Sequence, residues 1–381
     1  MLKVLSVFGT RPEAIKMAPV VLELARHPDQ IHSRVCVTGQ HREMLDQVLN
    51  LFNIKPDIDL EVMTQGQTLP ALTAKIIESM DAVLADERPD VVLVQGDTTT
   101  VMAVSLVAFY HQITVGHVEA GLRSQDIYSP FPEEINRRIA GVISSLHFAP
   151  TPKAKAALLR EGVAESTINM TGNTVIDALQ LAVEMPVPPL AQEVITHAAS
   201  VAGQADGGEK IVLVTTHRRE NLGAPLESIC RGIMALVERN PEVVVVLPVH
   251  LNPKVREPIH RILGDHERIS LIDPIEYDVM AHLMKAAHLI LTDSGGLQEE
   301  APAIGKPVLV MRTETERPEA IDAGTAKLVG PDEHAILREA EILLHDEAEY
   351  DKMAQAVNPF GDGNAAVRIV ETLRKLSSAS E

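Results

Sequence analysis

Residues 3–27, KVLSVFGTRPEAIKMAPVVLELARH, join a short apolar run to a stretch with helical spacing through a polar turn. The same order of apolar run, polar turn and helical stretch recurs along the chain. Continuous apolar runs of four to six residues are typical of strands covered on both faces, which occur in parallel sheets. The sequence therefore predicts an α/β protein. The other runs are SRVCVTG, VVLVQGD, TVGHVEAG, IVLVTTH, VVVVLPVH, LILTDSGG and KPVLVMR.

Two stretches are typical of boundaries between domains. At 381 residues, the chain is longer than one hydrophobic core usually serves. MPVPPLAQ at 185–192 concentrates prolines, and VAGQADGGEK at 201–210 is a glycine and polar run. We therefore predict two doubly wound domains, at 1–180 and 181–360. Residues 361–381 are predicted to form a helix and tail that could pack on either domain, including back on the first.

The composition limits the kinds of partner. The chain carries 53 acidic and 34 basic residues, a formal net charge of -19. Nucleic acid and anionic membranes are disfavoured as partners because both would be repelled. The start MLKVLSVFG is too short for a signal peptide, and no apolar run reaches the roughly 18 residues of a membrane span. We therefore expect a cytoplasmic protein. The two cysteines, Cys36 and Cys230, are expected to be core residues.

The first polar turn is a candidate anion site. Arg11 and Lys16 stand beside a predicted helix start, whose amide groups and positive dipole end attract negative charge. The alternative is structural, since Arg11 could cap a neighbouring helix and Lys16 could be solvated. In an otherwise acidic chain, a cation beside a free helix N-terminus favours the anion site.

Carboxylates follow the strands of the first predicted domain. Asp97 and Glu119 come directly after apolar runs, and Glu133 and Glu134 follow a proline at a helix start. Each has a structural alternative, because Asp97 could be a helix N-cap and the glutamates could complement a helix dipole. Three carboxylates at one sheet edge would instead raise each other's pKa values, which suits acid and base catalysis near neutral pH.

Polar groups also follow the strands of the second predicted domain. His217, Arg218 and Arg219 after IVLVTT could meet a phosphate or a sugar hydroxyl. His250 and Tyr277 are equally well explained by turn formation and by packing. Two further arginines, Arg312 and Arg317, follow the run KPVLVM.

The stretch TDSGGLQEEAPAIGKPV at 292–308 contains a possible phosphate cradle. Ser294, Gly295 and Gly296 precede a helix-like stretch, so they can present amide groups and a hydroxyl to phosphate. The glutamates that follow would repel phosphate, which leaves their role open at this point.

Neither a metal nor a tightly bound dinucleotide is expected. The histidines are scattered, no CxxC or HxxxH spacing occurs, and the acidic residues lack the spacing of a calcium loop. No G-x-G-x-x-G follows any predicted strand.

Taken together and in order, the polar segments resemble those of the non-hydrolysing UDP-N-acetylglucosamine 2-epimerases of bacteria. The resemblance covers nearly the whole chain. It implies a GT-B fold, two Rossmann-like domains with the active site in the cleft between them, and a homodimer. The segments are FGTRPEAIKMAP, TGQHREMLDQVL, GDTTT, GHVEAGLR, PEEINR, TGNTVIDAL, HRREN, PVHLNP, LTDSGGLQEEAP, GKPVLVMR, TERPEA and GDGNA.

The resemblance also implies a reaction. The family interconverts UDP-N-acetylglucosamine and UDP-N-acetylmannosamine without metal or NAD, for surface polysaccharide synthesis. It eliminates UDP to give 2-acetamidoglucal and then adds UDP back. The catalytic residues carried over by motif are Asp97, Glu119, Glu133, His217 and Arg137. The UDP-binding residues are Arg11, Lys16, Arg218, Tyr277, Ser294, Gly295, Gly296, Glu300 and Arg317.

The glutamates of the 292–308 stretch fit this assignment. Glu300 lies six residues beyond Ser294, about 9 Å along a helix, which is the scale between a phosphate and a ribose. A carboxylate can accept hydrogen bonds from both ribose hydroxyls. The stretch is thus predicted to hold a whole uridine diphosphate.

Some members of the family are activated by a second substrate molecule. The segments that match this site predict contacts from Gln40, Gln47, Glu134 and His250. Gly66 stands in the neighbouring loop MTQGQTL where some relatives have an arginine, so direct contact from that position is lost.

Three alternatives remain to be separated from this reading. A GT-B glycosyltransferase would bind a UDP-sugar but would not need three carboxylates in the first domain. A hydrolysing 2-epimerase would share most motifs and release free N-acetylmannosamine. A catalytically silent sensor would keep the UDP contacts and tolerate loss of Asp97, Glu119 and Glu133.

Overall fold

The computed structural model describes residues 1–39, 42–64, 66–202 and 208–378. The chain divides into two compact units, Met1–Ala178 with Phe360–Glu381, and Leu179–Pro359. Each contains one parallel sheet with helices between the strands, so the predicted α/β class with two Rossmann-like domains is confirmed. Within the described ranges, no helix has the length and apolar character needed to cross a membrane.

The first unit is built on a sheet of seven described strands. The strands are β1 (Leu2–Phe8), β2 (Ile31–Val37), β3 (Ile58–Asp59), β4 (Val91–Gln95), β5 (Thr114–Val118), β6 (Leu146–Ala149) and β7 (Ile168–Met170). Their order in the sheet is β3-β2-β1-β4-β5-β6-β7. The helices are α1 (Arg11–Ala25), α2 (Arg42–Leu51), α3 (Leu69–Glu87), α4 (Thr99–Tyr110), α5 (Glu133–Ile143), α6 (Pro152–Arg160) and α7 (Thr174–Glu184), whose last residues continue into the second unit.

The second unit is built on a sheet of six described strands. The strands are β8 (Lys210–Thr215), β9 (Val243–Pro248), β10 (Ile269–Ile272), β11 (Leu289–Thr292), β12 (Val308–Val310) and β13 (Ala326–Leu328). Their order is β10-β9-β8-β11-β12-β13. The helices are α8 (Pro189–Val201), α9 (Ala224–Arg239), α10 (Pro253–Leu263), α11 (Tyr277–Ala286), α12 (Gly295–Glu300), α13 (Pro318–Asp322), α14 (Glu333–His345) and α15 (Glu347–Ala354).

The strands are buried on both faces, as their unbroken apolar runs predict. Every residue of β4 and the first five residues of β9 are buried. Helices α3 and α4 pack together over the first sheet and bury side chains such as Met80 against it. Cys36 and Cys230 are free and buried in the two cores, which confirms their predicted role.

Each sheet has one place where the strand order reverses. In the first sheet, the chain moves outward from β1 in one direction and from β4 in the other. The neighbouring strands β8 and β11 have the same relation in the second sheet. Loops diverge beyond the carboxyl ends of such strands and leave a crevice that binds ligands in open α/β sheets. The residues that follow β1, β4, β8 and β11 are therefore the candidates for the ligand-binding site.

The last helix, α16 (Ala365–Ser378), belongs to the first unit and packs on α1. The amide of Asn173 donates to the carbonyl of Phe360 at 2.6 Å. Close by, a Cβ on Gly172 would lie 3.2 Å from the Cα of Gly361. The segments TGNTVIDAL and GDGNA thus meet in space, and their glycines allow the two backbones to approach. Of the predicted boundaries, 185–192 contains the start of α8, and part of 201–210 lies outside the described residues.

Candidate active site

The turn between β1 and α1 is held by Glu13. Its carboxylate accepts hydrogen bonds from the amides of Gly9 and Thr10, at 3.0 and 2.7 Å, and from the hydroxyl of Thr98 at 2.6 Å. Burial raises the pKa of Glu13, and these hydrogen bonds oppose the rise. Thr10 caps α1, so Arg11 is the first helical residue, and its side chain is exposed. Glu13 therefore ties the turn that carries Arg11 to the loop after β4.

Asp97 lies in that loop, between β4 and α4. Thr98 rather than Asp97 caps α4, so the alternative of an N-cap role for Asp97 is wrong. The guanidinium of Arg137 on α5 donates to one Asp97 carboxylate oxygen from Nε at 2.9 Å and from Nη2 at 2.6 Å. The side chain of Asn136 donates to the Asp97 carbonyl at 2.9 Å. Asp97 is thus fixed beside a cation, and 29% of its side chain stays accessible to a ligand.

Glu119 follows β5 and points its carboxylate to two partners. Lys16 Nζ lies 2.5 Å from its Oε2, and Gln95 Nε2 donates to the same oxygen at 2.8 Å. Its backbone has φ 65, in the left-handed region that costs a residue with a side chain about 1–3 kcal/mol. Such strain is kept where the surroundings fix a functional side chain. Lys16, which was expected to contact phosphate, lies against this carboxylate.

The two glutamates at the start of α5 differ in environment. Glu134 is fully buried, and its carboxylate accepts hydrogen bonds from the Ser124 amide at 3.0 Å and from Arg137 and Arg138. Burial opposes ionisation of Glu134, but these donors outweigh it and hold its pKa below the ordinary value. Glu133 has a buried Oε2 that forms no hydrogen bond with any described residue. Glu134 therefore serves the structure, and Glu133 retains an oxygen whose hydrogen-bonding capacity is unused by the described residues.

His117 was not among the predicted site residues. Its ring is buried, and Nε2 donates at 2.7 Å to the carbonyl of Gly96, the residue directly before Asp97. Burial lowers its pKa to about 4, so the imidazole is neutral at pH 7 and acts as a hydrogen-bond donor. The signal in the sequence is a polar residue inside the apolar run TVGHV, which also applies to Gln95 at the end of β4.

In the second unit, His217 and Arg218 follow β8. The amides of both residues donate to the carboxylate of Asp293, at 3.0 and 2.9 Å. Burial lowers the pKa of His217, the Asp293 carboxylate opposes this, and the net pKa is below the ordinary value. Arg218 Nη2 donates at 2.8 Å to Glu316. Both predicted side chains therefore lie beside β11, which pairs with β8.

The glycines after β11 permit a close approach of backbone to other groups. Ser294 stands at the N-cap position of α12, and the helix begins at Gly295. A Cβ on Gly295 would lie 3.1 Å from a carboxylate oxygen of Glu316, and one on Gly296 would lie 3.3 Å from Glu300. A side chain at either position would press on these carboxylates, so glycine keeps the backbone of the first turn of α12 close to its polar neighbours.

Glu300, at the end of α12, accepts a hydrogen bond from the hydroxyl of Tyr277 at 2.9 Å. Burial and the Glu300 carboxylate raise the pKa of Tyr277 well above its ordinary value, so the phenol stays protonated and keeps donating. Tyr277 thus orients the carboxylate predicted to bind the ribose.

The predicted UDP contact Arg317 forms an ion pair with Glu299.

The residues predicted for a second substrate molecule lie in different settings. Gln47 is exposed on α2, His250 is exposed after β9, and Glu134 is buried. Gly66 has φ 73 and open space where a Cβ would lie. Gln40 lies outside the described residues. Activation by a second substrate molecule stays a prediction.

The chemistry available to the two units is different. The first unit has carboxylates after β4 and β5 and at the start of α5, each beside a cation or with an unpaired oxygen, which suits proton transfer and stabilisation of positive charge. The second unit offers helix amides, arginine and an oriented carboxylate, which suits a nucleoside diphosphate. Within the ranges that the structure describes, no three His, Cys, Asp or Glu side chains are grouped to hold a metal ion.

Known proteins match the chain over almost its full length. The sequence profile of a family described as UDP-N-acetylglucosamine 2-epimerase matches residues 22–374. The UDP-N-acetylglucosamine 2-epimerase of Escherichia coli (strain K12) is 54% identical over 375 residues, which cover 98% of each chain. The enzyme of Bacillus subtilis (strain 168) is 54% identical over 372 residues, which cover 98% of this chain and 95% of its own.

A solved structure gives the same result. The UDP-GlcNAc 2-epimerase from Neisseria meningitidis, bound to UDP-GlcNAc, superposes with a TM-score of 0.86 at 51% identity and covers 98% of this chain and 100% of its own. Agreement of this extent in both sequence and structure confirms the resemblance carried by the motifs. The chain belongs to the UDP-N-acetylglucosamine 2-epimerase family.

Proposed function

We propose that this protein interconverts UDP-N-acetylglucosamine and UDP-N-acetylmannosamine by inverting carbon 2 of the sugar. The observation that carries the proposal is that Asp97 and Glu119, which follow the neighbouring strands β4 and β5, are each paired with a cation, Arg137 and Lys16. The relative from Neisseria meningitidis, which has UDP-GlcNAc bound, supports the substrate. The product supplies surface polysaccharide synthesis.

The chemistry requires departure of UDP before proton transfer. No carbonyl adjoins carbon 2 of the sugar, so its proton is not acidic in the substrate. When the bond from carbon 1 to UDP breaks, UDP takes the bonding pair and an oxocarbenium-like state forms. A base then removes the carbon 2 proton, and that C–H pair becomes the double bond of 2-acetamidoglucal. Addition of UDP to carbon 1, with a proton delivered to the other face of carbon 2, completes the inversion.

The first unit supplies the acid and base groups. Asp97 and Glu119 stabilise positive charge on the sugar and, with Glu133, carry the proton to and from carbon 2. Arg137 and Lys16 reduce the repulsion between these carboxylates, so that they can share one site. The exposed Arg11 binds phosphate oxygens at the start of α1.

The second unit binds uridine diphosphate. Ser294 and the amides of Gly295 and Gly296 bind the diphosphate, with Arg218 as the nearby cation. Glu300 binds the ribose hydroxyls and is oriented by Tyr277. Arg317 is a further predicted UDP contact, and His217 is the predicted catalytic residue that this unit contributes. Stabilisation of the diphosphate as leaving group lowers the barrier of the first step.

Solvent deuterium tests the reaction. The protein is incubated with UDP-N-acetylglucosamine in deuterated water, and carbon 2 is followed by NMR. We expect UDP-N-acetylmannosamine with deuterium at carbon 2. UDP-N-acetylmannosamine without deuterium at carbon 2 would exclude a mechanism in which the carbon 2 proton exchanges with solvent. Free N-acetylmannosamine would indicate the hydrolysing reaction, and turnover that depends on an acceptor sugar would indicate a glycosyltransferase.

Two conservative variants test the carboxylates. Asp97→Asn and Glu119→Gln keep the side-chain shape and remove the proton-carrying group, so turnover should fall by at least about 100-fold, within the range of general acid–base catalysis. UDP affinity, measured by calorimetry, should change less than about threefold, because neither Asp97 nor Glu119 is a predicted UDP contact and most of the predicted UDP contacts lie in the second unit. Asp29→Asn and Glu78→Gln are matched exposed controls in the same unit. Loss of UDP binding in the test variants would reassign both residues to structure.

The active form is inferred to be a homodimer that uses an apolar surface on α4 and α5. These helices pack against each other and leave Phe109, Tyr110 and Val142 exposed by 59%, 66% and 87%. A second copy would cover this apolar surface. Light scattering after size exclusion should give a dimer for the parent and a monomer for a Tyr110→Lys, Val142→Lys double variant, with Val357→Lys as control. A monomeric parent would reject the dimer, and a dimeric double variant would reject this surface.

A further inference from the structure

The Asp293 side chain is fully buried, and each described group that forms a hydrogen bond with its carboxylate is a donor. It stands directly after β11. Its carboxylate accepts from the hydroxyl of Thr216 at 3.0 Å, from the amides of His217 at 3.0 Å and Arg218 at 2.9 Å, and from the side chain of Asn221 at 3.0 Å. All four donors belong to the loop that follows β8. One carboxylate therefore sets the conformation of that loop.

The same carboxylate also lies beside the His217 ring. Oδ1 is 3.4 Å from Nδ1 of His217, and the same ring stacks on His250, with ring centroids 6.0 Å apart. The Asp293 carbonyl accepts from Nε of Arg218 at 3.3 Å. The 3.4 Å separation is longer than a formed hydrogen bond, but the carboxylate charge favours the tautomer with the proton on the nearer nitrogen, Nδ1.

We propose that Asp293 is a positioning residue for the epimerisation, which sets the orientation and tautomer of His217 and the place of Arg218. The inference rests on the proposed function of those two residues. A fully buried carboxylate destabilises the fold unless it is hydrogen-bonded. Here all the hydrogen bonds to the Asp293 carboxylate come from the loop that contains His217 and Arg218. Asp293 also lies next to Ser294, so one residue connects this loop to the predicted phosphate cradle.

An amide at this position reverses the arrangement. Asn has the size of Asp, but one of its two terminal atoms is an NH2 donor, and every neighbour of Asp293 is a donor. With its oxygen toward Thr216 and Asn221, the Asn NH2 group would face Nδ1 of His217 and make Nδ1 an acceptor. The ring proton would then move to Nε2, which gives His217 the wrong tautomer for its role.

The charges around the ring give a second readout. Asp293 and Glu220 raise the pKa of His217, while burial and the neighbouring Arg218 and His250 lower it, and burial is the largest influence. Removal of the Asp293 charge should therefore lower the pKa of His217 further. The lower pKa would show that the Asp293 charge acts on the ring, and a fall in kcat with a smaller change in KM separates a positioning role from one in loop stability alone.

The test compares Asp293→Asn with His217→Asn and with the control Asp273→Asn, whose carboxylate is 82% exposed in the same unit. Folding is checked by circular dichroism, and kcat and KM are measured with UDP-N-acetylglucosamine. The His217 imidazole is titrated by NMR. We expect kcat to fall about 10- to 100-fold in Asp293→Asn with a smaller change in KM, a lower His217 pKa, and parental behaviour of the control. If Asp293→Asn does not fold, Thr216→Val takes its place in the test. This variant removes one hydrogen-bond donor to Asp293 and should give a smaller loss of kcat.

The outcomes separate the inference from the proposed function. Full turnover and an unchanged His217 titration in folded Asp293→Asn, together with lost turnover in His217→Asn, overturn the inference and leave the function of His217 intact. Full turnover in His217→Asn rejects the function of His217 and the inference with it. If Asp293→Asn does not fold, parental kcat in Thr216→Val overturns the inference.

Discussion

Asp177 provides a quantitative test of how the last helix is held. It lies on α7, and its Oδ1 accepts a hydrogen bond from the amide of Ala366 in the first turn of α16 at 2.8 Å. Its other oxygen, Oδ2, is buried and forms no hydrogen bond with the described residues. Burial raises the pKa of Asp177 from 3.8 to about 6, although the helix amides oppose the rise. A substitution that removes the charge but keeps an acceptor isolates this effect.

The sign of the effect follows from the direction of the pKa shift. Because the folded-state pKa is raised, the contribution of Asp177 to stability is fully present below pH 3.8 and is lost as pH rises through about 6. A shift of about two units corresponds to about 3 kcal/mol of lost stability above this window. Between pH 5.5 and 8, where the folded group completes its ionisation, the loss is about 1 kcal/mol.

The Asp177→Asn variant should therefore be more stable than the parent at pH 8. Asparagine keeps the oxygen that caps α16, and its uncharged amide avoids the burial of a charge. The expected gain is at most about 3 kcal/mol, reduced by about 1–2 kcal/mol because the amide NH2 takes the place of the unpaired Oδ2. Urea unfolding followed by circular dichroism gives the free energy of unfolding at each pH.

The difference between variant and parent carries the test, since other titrating groups cancel in it. This difference should grow by about 1 kcal/mol in favour of the variant from pH 5.5 to pH 8. Asp29→Asn, at an exposed position of the same unit, should show no pH-dependent difference. A difference for Asp177→Asn that stays constant with pH would refute the reasoning, because it would mean that the carboxyl titrates normally.

Three further changes have defined outcomes. Glu13→Ala removes the acceptor of four hydrogen bonds and should lower the free energy of unfolding in urea by about 3 kcal/mol or more, whereas Glu13→Gln should recover at least half; equal losses would contradict the acceptor role. Tyr277→Phe should weaken UDP binding by about 5- to 10-fold in calorimetry, because Glu300 loses its orienting donor, and unchanged affinity would reject that role. Gly121→Ala should lower the melting temperature by roughly 5 °C or more, because φ is 94 and the new Cβ would lie 2.4 Å from the carbonyl oxygen of Ala154; an unchanged melting temperature would contradict this reading.

Eight strands could be predicted from sequence because each lies in an apolar run bounded by polar turns, including β11 and β12, which have only four and three residues. The strands that the sequence analysis did not identify are β3, β6, β7, β10 and β13, which have only two to four residues. A run of this length fits a helix, a strand or a turn equally well, so periodicity cannot separate them. They form because neighbouring strands already present hydrogen-bonding edges, as β5 does for β6. The information that places them lies in the sheet rather than in their own residues.

The candidate site likewise contains residues that could be predicted from the sequence and residues that could not. Asp97, Glu119, His217 and Ser294 could be placed just after parallel strands from the sequence, at the edge where open α/β sheets bind ligands, and their roles stay predictions. Arg137 and Lys16, which hold Asp97 and Glu119, were also predicted, but other residues that hold the site, such as Glu13, His117 and Asp293, were missed. Each of these acts through a loop distant in sequence, as Glu13 does when it accepts from Thr98, 85 residues away. Spacing along the chain carries no signal for such a pair.

The segments TGNTVIDAL and GDGNA show that a family's motifs are not all chemical. Neither contains a predicted catalytic or UDP-binding residue, yet Asp177 reaches across 189 residues to cap α16. Arg368 then holds the turn before α16 through a paired contact with Asp362, at 2.7 Å from each nitrogen, and Asp362 has a pKa lowered to about 2, chiefly by that hydrogen bond. The terminal helix packs on α1, whose first residue is Arg11. These segments therefore fix the helix that carries a predicted phosphate contact, so their substitution should reduce stability first and activity only as a consequence.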